Sequence, residues 1–162
     1  MQKYKLGTKL GDGSFGTVSK ALNEETGQLV AIKRMKHDYK DWSECVNLNE
    51  VRILSKLHHP NVVKLIELIK KDNQLYFVFE YLQRNVYQLL QERGKLPHHE
   101  VRNITFQTLQ ALAYIHRKGY FHRDMKPENL LEINSTIKIA DFGLAREIRA
   151  KPPFTEYVST RW

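Results

Sequence analysis

One short stretch of the chain combines a carboxylate, a lysine and an amide at close spacing. Residues 122–129 read His-Arg-Asp-Met-Lys-Pro-Glu-Asn. The Asp124 carboxylate can accept a proton or orient a hydroxyl, and Lys126 can neutralise a phosphoryl group during transfer. Asn129 supplies a neutral oxygen of the kind that a hard cation prefers. Phosphoryl transfer needs this division of labour, because it depends on positioning and charge neutralisation.

A second carboxylate, Asp141, follows in the segment Asp-Phe-Gly at 141–143. It can bind the same metal ion as Asn129. The alternative is a glycosidase pair formed by Asp124 and Asp141, since two carboxylates can hydrolyse a glycosidic bond. That alternative leaves Lys126 and Asn129 without a role, so phosphoryl transfer is favoured.

The glycine-rich segment at 11–18 reads Gly-Asp-Gly-Ser-Phe-Gly-Thr-Val, which is a G-x-G-x-x-G-x-V pattern. A dinucleotide-binding loop shares the first six positions, but it opens a helix and an acidic residue follows about 20 residues later. Here a second strand-like segment and a turn at Gly27 follow instead. A strand-loop-strand flap over phosphates fits better, and a glycine-rich hairpin without a ligand is the alternative.

Lys33 ends the segment Val-Ala-Ile-Lys at 30–33, which has the character of a buried strand. An unpaired buried ammonium group costs several kcal/mol, so Lys33 is predicted to bind an anion and to pair with a carboxylate. Glu50, at the boundary between the polar and apolar sides of the following helix, is the candidate partner. A solvated lysine and a surface glutamate are the alternative.

The hydrophobic periodicity places these motifs on a β-rich first part and a helical second part. Alternation predicts three antiparallel strands up to residue 32, one helix over 43–57, and two strands at 63–69 and 75–79. Helices are then predicted at 85–92 and 98–118, with Gly119 as the stop of the second, followed by short strands at 130–133 and 136–139. The long helix is expected to carry apolar residues along one side: Val101, Ile104, Leu109, Leu112 and Ile115.

Composition excludes several classes of protein. A chain of 162 residues can bury one globular core. Its net charge is +8, but the sequence has no run of four consecutive basic residues, which disfavours nucleic-acid binding. The only cysteine, Cys45, cannot form an internal disulfide, and the first residues show no signal-peptide pattern. No apolar stretch approaches the ~20 residues that span a bilayer. We therefore expect an intracellular protein with no nucleic-acid partner and no membrane insertion.

The motifs, taken in order, resemble the signature set of the protein kinases. The resemblance covers 4–162, and Lys-Pro-Glu-Asn after Asp124 is similar to the serine/threonine kinases. It implies an α+β, two-lobe fold, in which 1–82 forms the ATP-binding N-lobe and hinge, with a five-stranded antiparallel sheet and one helix. Residues 83–162 would form a partial, mainly helical C-lobe. The implied function is ATP-dependent phosphorylation of Ser and Thr in protein substrates, in intracellular signalling.

The resemblance also implies roles for the residues that match its motifs. Lys33 would hold the α- and β-phosphates of ATP and pair with Glu50. Asp124 would be the catalytic base, assisted by Lys126. The other implied ATP contacts are Gly11, Asp12, Gly13, Ser14, Phe15, Gly16, Val18, Ala31, Phe79, Glu80, Leu82 and Leu131.

The same resemblance implies a metal site and a phosphate-responsive segment. Asn129 and Asp141 would bind Mg²⁺. Arg123 would receive an activation-loop phosphate, since a bidentate guanidinium suits that charge. Thr160 would form a hydrogen bond near Asp124.

Segments 75–82 and 145–162 are similar to the CMGC group of cyclin-dependent and mitogen-activated kinases. Within it they most resemble the branch of the male-germ-cell-associated and intestinal-cell (ciliogenesis-associated) kinases. In that branch Thr155 and Tyr157 would be activation-loop phosphosites, which implies an upstream activating kinase. Residues 45–54 do not match a cyclin-binding signature, so no dependence on a cyclin is expected. The implied locations are the cytoplasm and the nucleus or cilium.

In the kinase family an Ala-Pro-Glu motif and further helices follow the segment in which Trp162 stands. A chain of these 162 residues is therefore expected to expose apolar residues of the 98–118 helix. The alternative function is that of a truncated, inactive fragment that binds nucleotide or a partner.

We expect the isolated chain to bind Mg-ATP weakly at best and to phosphorylate nothing, because part of the substrate groove would be missing. Transfer of labelled phosphate from ATP to a protein substrate is the measurement. A turnover in the range of ~1–100 per second that is usual for kinases would contradict this expectation.

Overall fold

The computed structural model describes residues 1–13 and 16–151. The elements are β1 (Tyr4–Asp12), β2 (Gly16–Asn23), β3 (Leu29–Asp38), α1 (Trp42–Val46), α2 (Asn49–Leu54), β4 (Leu65–Lys71), β5 (Gln74–Glu80), β6 (Arg84–Asn85), α3 (Val86–Arg93), α4 (His98–Arg117), β7 (Tyr120–Phe121), a 3-10 turn (Pro127–Asn129), β8 (Leu130–Ile133), β9 (Thr136–Ile139) and β10 (Arg146–Glu147). They group into a first unit, 1–52 with 64–81, and a second unit, 53–63 with the chain from Leu82 onward.

The first unit is built on a five-stranded sheet in the order β1-β2-β3-β5-β4, with every neighbouring pair antiparallel. Strand β3 is central, and the sheet supports a buried apolar cluster of Tyr4, Ala21, Val30, Ile32 and Val78, with Ile69 and Tyr76 packed against it. The predicted α+β class with a five-stranded N-terminal sheet is confirmed. The boundary of the predicted lobes at residue 82 stays a prediction.

The predicted helix over 43–57 is two short helices. Helix α1 ends at Val46, with Asn47 as its C-cap, and α2 begins at Asn49. The Leu48 amide bonds to the Cys45 carbonyl, which tightens the chain and interrupts the α-helical ladder. Asparagine side chains compete for backbone hydrogen bonds, so Asn47 and Asn49 favour a break that the apolar spacing does not reveal.

Helix α3 of the second unit has a well-defined N-terminal cap. The Asn85 side chain accepts from the Gln88 amide while the Gln88 side chain accepts from the Asn85 amide, so a capping box starts α3. Strands β8 and β9 have the bounds that the sequence predicts, and they pair from Leu130 with Ile139 to Ile133 with Thr136. The two-residue strands β6, β7 and β10 were not predicted.

Buried Asn61 joins three segments of the second unit. Its Nδ2 donates to the Gln107 side chain of α4 and to the Ile137 carbonyl of β9, both at 2.8 Å. Its carbonyl accepts from the Ile139 amide at 2.9 Å. The segment before β4 is therefore fixed to both α4 and the β8–β9 hairpin.

Helix α4 buries a narrower stripe than predicted. Ala111 and Ile115 are fully buried, whereas Val101 is 46% and Leu109 is 58% exposed. At about 100° per residue, Leu109 lies roughly 120° around the helix from Ile115, so the two cannot share one face. Exposed apolar residues on this helix agree with the expectation from sequence. In the described ranges, no helix combines the length and apolar character needed to cross a membrane.

Ile115 and Leu109 of α4 give a direct test of this packing. Ile115→Ala should lower the free energy of unfolding by about 2–5 kcal/mol, because it leaves a cavity beneath the helix. Leu109→Ala is the matched control on the exposed side and should change it by no more than about 0.5 kcal/mol. Urea unfolding followed by circular dichroism measures both, and equal effects would show that Leu109 is covered in solution.

Candidate functional site

The glycine-rich segment joins β1 and β2, and its three glycines differ in what surrounds them. The Gly13 amide donates to the Gly16 carbonyl at 2.9 Å, which closes the described ends of the loop. A Cβ on Gly16 would lie 2.5 Å from the Arg34 carbonyl oxygen, so packing against β3 requires glycine there. A Cβ on Gly11 would meet no atom within 4 Å, and one on Gly13 would meet its nearest atom at 3.8 Å.

Four predicted nucleotide contacts share one face of the first sheet. Val18 pairs with Lys33 across β2 and β3, and Ala31 pairs with Phe79 across β3 and β5. Cross-strand partners lie on the same face, and residues two apart on a strand also share a face. The structure therefore places Val18, Ala31, Lys33 and Phe79 together.

Lys33 forms a buried ion pair with Glu50 of α2. Its Nζ lies 3.0 Å from Oε1 and 3.1 Å from Oε2 of Glu50. The two residues are only 8% and 7% exposed, and the ammonium group also lies 5.8 Å from the centre of the Phe77 ring. A solvated lysine at this position is therefore excluded. Removing one partner of such a pair costs about 3–5 kcal/mol, because the other charge remains buried.

Glu80 ends β5 and is held at the start of β4. Its amide donates to the Lys64 carbonyl at 3.2 Å, and its Oε1 accepts from the Lys64 amide at 2.7 Å. Leu82 and Leu131, two other predicted adenine contacts, belong to the second unit, where Leu82 is buried. Adenine binding by Glu80, Leu82 and Leu131 stays a prediction.

In the second unit Asp124, Lys126 and Asn129 lie within hydrogen-bonding distance of one another. Lys126 Nζ is 2.9 Å from Asp124 Oδ2. Asn129 Nδ2 donates to the same oxygen at 2.9 Å and to the Asp124 carbonyl at 2.8 Å. Asp124 and Asn129 are buried. The carboxylate is therefore fixed in position by a cation and an amide, as a proton acceptor in phosphoryl transfer requires.

His122 is a site residue that sequence reasoning missed. Its Nε2 lies 2.9 Å from the Ala140 carbonyl, and its Nδ1 accepts the Asp124 amide at 3.3 Å. The edge of its ring packs against Phe142, with the ring centres 4.9 Å apart. His122 thus joins the Asp124 segment to the segment that carries Asp141. Its position inside the 122–129 motif was the only sequence signal for this role.

Two residues of the site hold a left-handed backbone. The φ angles are 67° at Arg123 and 62° at Asp141. Such angles cost a non-glycine residue of order 1–3 kcal/mol, and they persist where the surroundings impose them. The Arg123 Nε donates to the Leu144 carbonyl at 2.7 Å, and the Ala140 amide donates to the Asn129 carbonyl at 2.9 Å.

The oxygen atoms of Asn129 and Asp141 suit a hard cation. Asn129 Nδ2 donates twice to Asp124, so Oδ1 is the atom of this side chain that can act as a ligand. Asp141 is exposed and directly follows Ala140, which bonds to Asn129. Within the described ranges, no three His, Cys, Asp or Glu side chains form a metal cage. One or two protein oxygens completed by phosphates are the usual ligand set of Mg²⁺, which these residues fit.

Several predicted residues lie outside the described part of the chain. They are Ser14, Phe15, Thr155, Tyr157 and Thr160. The roles predicted for them, as loop contacts, phosphosites and a partner of Asp124, stay predictions. Phosphate capture by Arg123 also stays a prediction.

Burial lowers the pKa of His122, although the Ala140 carbonyl and the carboxylates of Asp141 and Asp124 act in the opposite direction. The folded state therefore holds a neutral His122, whereas the unfolded state takes up a proton near pH ~6.5. Stability should fall as the pH drops from about 7.5 to 5, because the unfolded state then binds more protons.

His122→Gln retains a donor for the Ala140 carbonyl but cannot ionise, so its stability should depend less on pH than that of the native chain. Thermal midpoints across this pH range measure the difference. Burial also lowers the pKa of His59, but that contribution is common to both proteins. Equal pH dependence in the two would show that His122 is not held neutral.

Comparison with known proteins places this geometry in a family. The model of the protein kinase domain matches residues 4–162. The chain is 54% identical over 163 residues to a probable serine/threonine-protein kinase of Dictyostelium discoideum. It is 56% identical over 164 residues to the human serine/threonine-protein kinase MAK, and 53% identical over 163 residues to cyclin-dependent kinase F-4 of rice.

All of this chain takes part in these matches, but it spans only 32%, 26% and 36% of the three relatives. The rat serine/threonine-protein kinase ICK is 55% identical over 164 residues. These relatives agree with the predicted CMGC group. The glycine-rich segment, the Lys33–Glu50 pair and the Asp124 cluster lie within the matched range, and the chain belongs to the protein kinase family.

Proposed function

We propose that this chain is the ATP-binding and catalytic part of a serine/threonine protein kinase, which phosphorylates Ser and Thr hydroxyls of proteins. The observation that carries the proposal is the Asp124 carboxylate, whose Oδ2 lies 2.9 Å from both the Lys126 ammonium and the Asn129 amide. This arrangement places a base beside a positive charge, which is the pairing that transfer of a phosphoryl group to a hydroxyl requires.

The glycine-rich segment supports ATP as the phosphoryl donor. Neither packing nor a left-handed backbone requires glycine at 11 or 13, since a Cβ would find room at both and neither has a positive φ. The missing side chains at 11 and 13 instead let a ligand approach the backbone closely. A triphosphate is the ligand that such a loop suits, and Lys33 on the neighbouring strand offers an ammonium group for it.

The chain's own residues would carry out the transfer as follows. Asp124 accepts the proton of the substrate hydroxyl while that oxygen forms a bond to the γ-phosphorus, and the bond from phosphorus to the ADP oxygen breaks. Lys126 holds positive charge beside the transferred group and keeps the carboxylate oriented. Mg²⁺, when held by Asn129 and Asp141, would neutralise charge on the phosphate oxygens.

The remaining parts of the proposal rest on the family. Protein substrates follow from kinase membership. An upstream kinase acting on Thr155 and Tyr157, independence from cyclins, and a place in the cytoplasm, nucleus or cilium stay proposals. So does a signalling role.

The test uses Asp124→Asn in the full-length protein. Phosphate transfer from Mg-ATP to Ser and Thr peptides should fall about 10²–10⁴-fold, because general-base catalysis is lost. The affinity for Mg-ATP, measured by calorimetry, should change less than about two-fold, because Asp124 does not hold the nucleotide.

Asp41→Asn is the matched control, since it removes a carboxylate from an exposed residue before α1. It should leave both measurements unchanged. Retained transfer in the Asp124 variant would refute the assigned base. Nucleotide binding without any transfer by the native full-length protein would favour the alternative of an inactive nucleotide-binding relative.

A further inference from the structure

The acidic residue between Gly11 and Gly13 is held by two lysines. Lys9 Nζ donates to Asp12 Oδ2 at 2.7 Å, and Lys36 Nζ lies 2.9 Å from Oδ1. Thr17 Oγ1 also donates to Oδ1, at 3.3 Å. Both carboxylate oxygens are therefore engaged, and the partners come from three different strands.

An irregularity in β1 makes this cluster possible. Lys9 and Asp12 are three residues apart, so a regular strand would direct them to opposite faces. The register shifts between Lys9 and Gly11, so that Lys9 lies opposite Ser19 while Asp12 lies opposite Thr17. Because Ser19 and Thr17 share a face, Lys9 and Asp12 now share it too. Such irregularities redirect side chains and are over-represented next to active sites.

The cluster lies on the opposite face of the sheet from Lys33. Thr17 pairs with Arg34, whereas Val18 pairs with Lys33, and neighbouring residues of a strand face opposite ways. Asp12 therefore turns its carboxylate away from the face that carries Lys33. Lys36 of β3 reaches across β2 to Asp12 of β1, so the ion pair spans the whole hairpin.

The Asp12 carboxylate stays charged over the physiological pH range. Hydrogen bonds from Lys9 and Lys36 lower the pKa of Asp12 to about 2. The side chains of Asp12 and Lys36 are 43% and 53% exposed, so salt screens the pair and its effect on global stability is small. The pair lies next to the hairpin end, where the Gly13 amide bonds to the Gly16 carbonyl.

We propose that Asp12 and Lys36 are positioning residues that hold the end of the β1–β2 hairpin, at Gly13 and Gly16, against β3 from the face opposite Lys33, and so set the affinity for Mg-ATP. The nucleotide part of this proposal rests on the proposed function. The hairpin part does not. The alternative is that the Asp12 carboxylate has no positioning role and only repels the phosphates of ATP, which would weaken the binding of Mg-ATP.

Two single variants and their combination test the proposal in the full-length protein. Asp12→Asn and Lys36→Met should each raise the exchange rate of the Gly13 amide hydrogen several-fold, with thermal midpoints unchanged. Each should also raise the Kd for Mg-ATP about two- to five-fold, the range expected when an exposed ion-pair network is lost. The double variant should be no worse than Asp12→Asn alone, because that substitution already removes the ion pair with Lys36.

Lys5→Met is the control, since it removes a positive charge from an exposed residue of β1, the strand that carries Asp12. It should leave Gly13 exchange unchanged. Added salt should speed Gly13 exchange in the native chain and in the control, but not in the double variant.

Three outcomes would overturn the proposal: unchanged Gly13 exchange in both single variants, additive effects in the double variant, or tighter Mg-ATP binding by Asp12→Asn. The last would show that the carboxylate acts by repulsion. A full-length protein that binds no Mg-ATP would count against the proposed function alone, because the Gly13 exchange still decides whether the ion pair holds the hairpin end.

Discussion

A single buried charge constrains the first unit more than any other feature. Lys33 lies in β3, the central strand of the five-stranded sheet, where its ammonium group is cut off from bulk water. An unpaired charge there would be prohibitively unfavourable, so a carboxylate has to be brought to it. Glu50 meets this need with both oxygens. Helix α2 must therefore lie against the face that carries Lys33. The Lys33 ammonium group is then held in a fixed position on this face, beside the hairpin of β1 and β2.

The second unit adds imposed backbone geometry to an ion pair. Asp124 is fixed by Lys126 and Asn129. The Arg123 side chain donates to the Leu144 carbonyl, and the Ala140 amide donates to the Asn129 carbonyl. Arg123 and Asp141 hold left-handed angles that neither residue favours, and such strain persists where several bonds act on a short segment at once. Both units therefore position a functional group by pairing charges, and the second also does so through its backbone.

Sequence reasoning succeeded where the determining forces are local. Strands β8 and β9 were predicted with their observed bounds, since Asn134 and Ser135 supply a turn, and both adopt the positive φ that a tight hairpin needs. The Lys33–Glu50 pairing was inferred from the cost of burying Lys33, from the position of Glu50 on the following helix and from the family resemblance. The break between α1 and α2, the contacts of His122 and the irregularity at Lys9 were missed. Each depends on a backbone detail or a distant partner that apolar spacing does not encode.

The three glycines of the glycine-rich segment are present for different physical reasons. Gly16 is required by folding, because a side chain there would collide with the Arg34 carbonyl of β3. Gly11 and Gly13 meet no such obstacle, so folding alone would accept larger residues. Glycine carries an entropic cost in a strand, and at 11 and 13 neither a close contact nor a positive φ explains its presence. The close contact at Gly16 is therefore the part of the motif that folding requires, whereas Gly11 and Gly13 agree with the phosphate-binding role proposed for the segment.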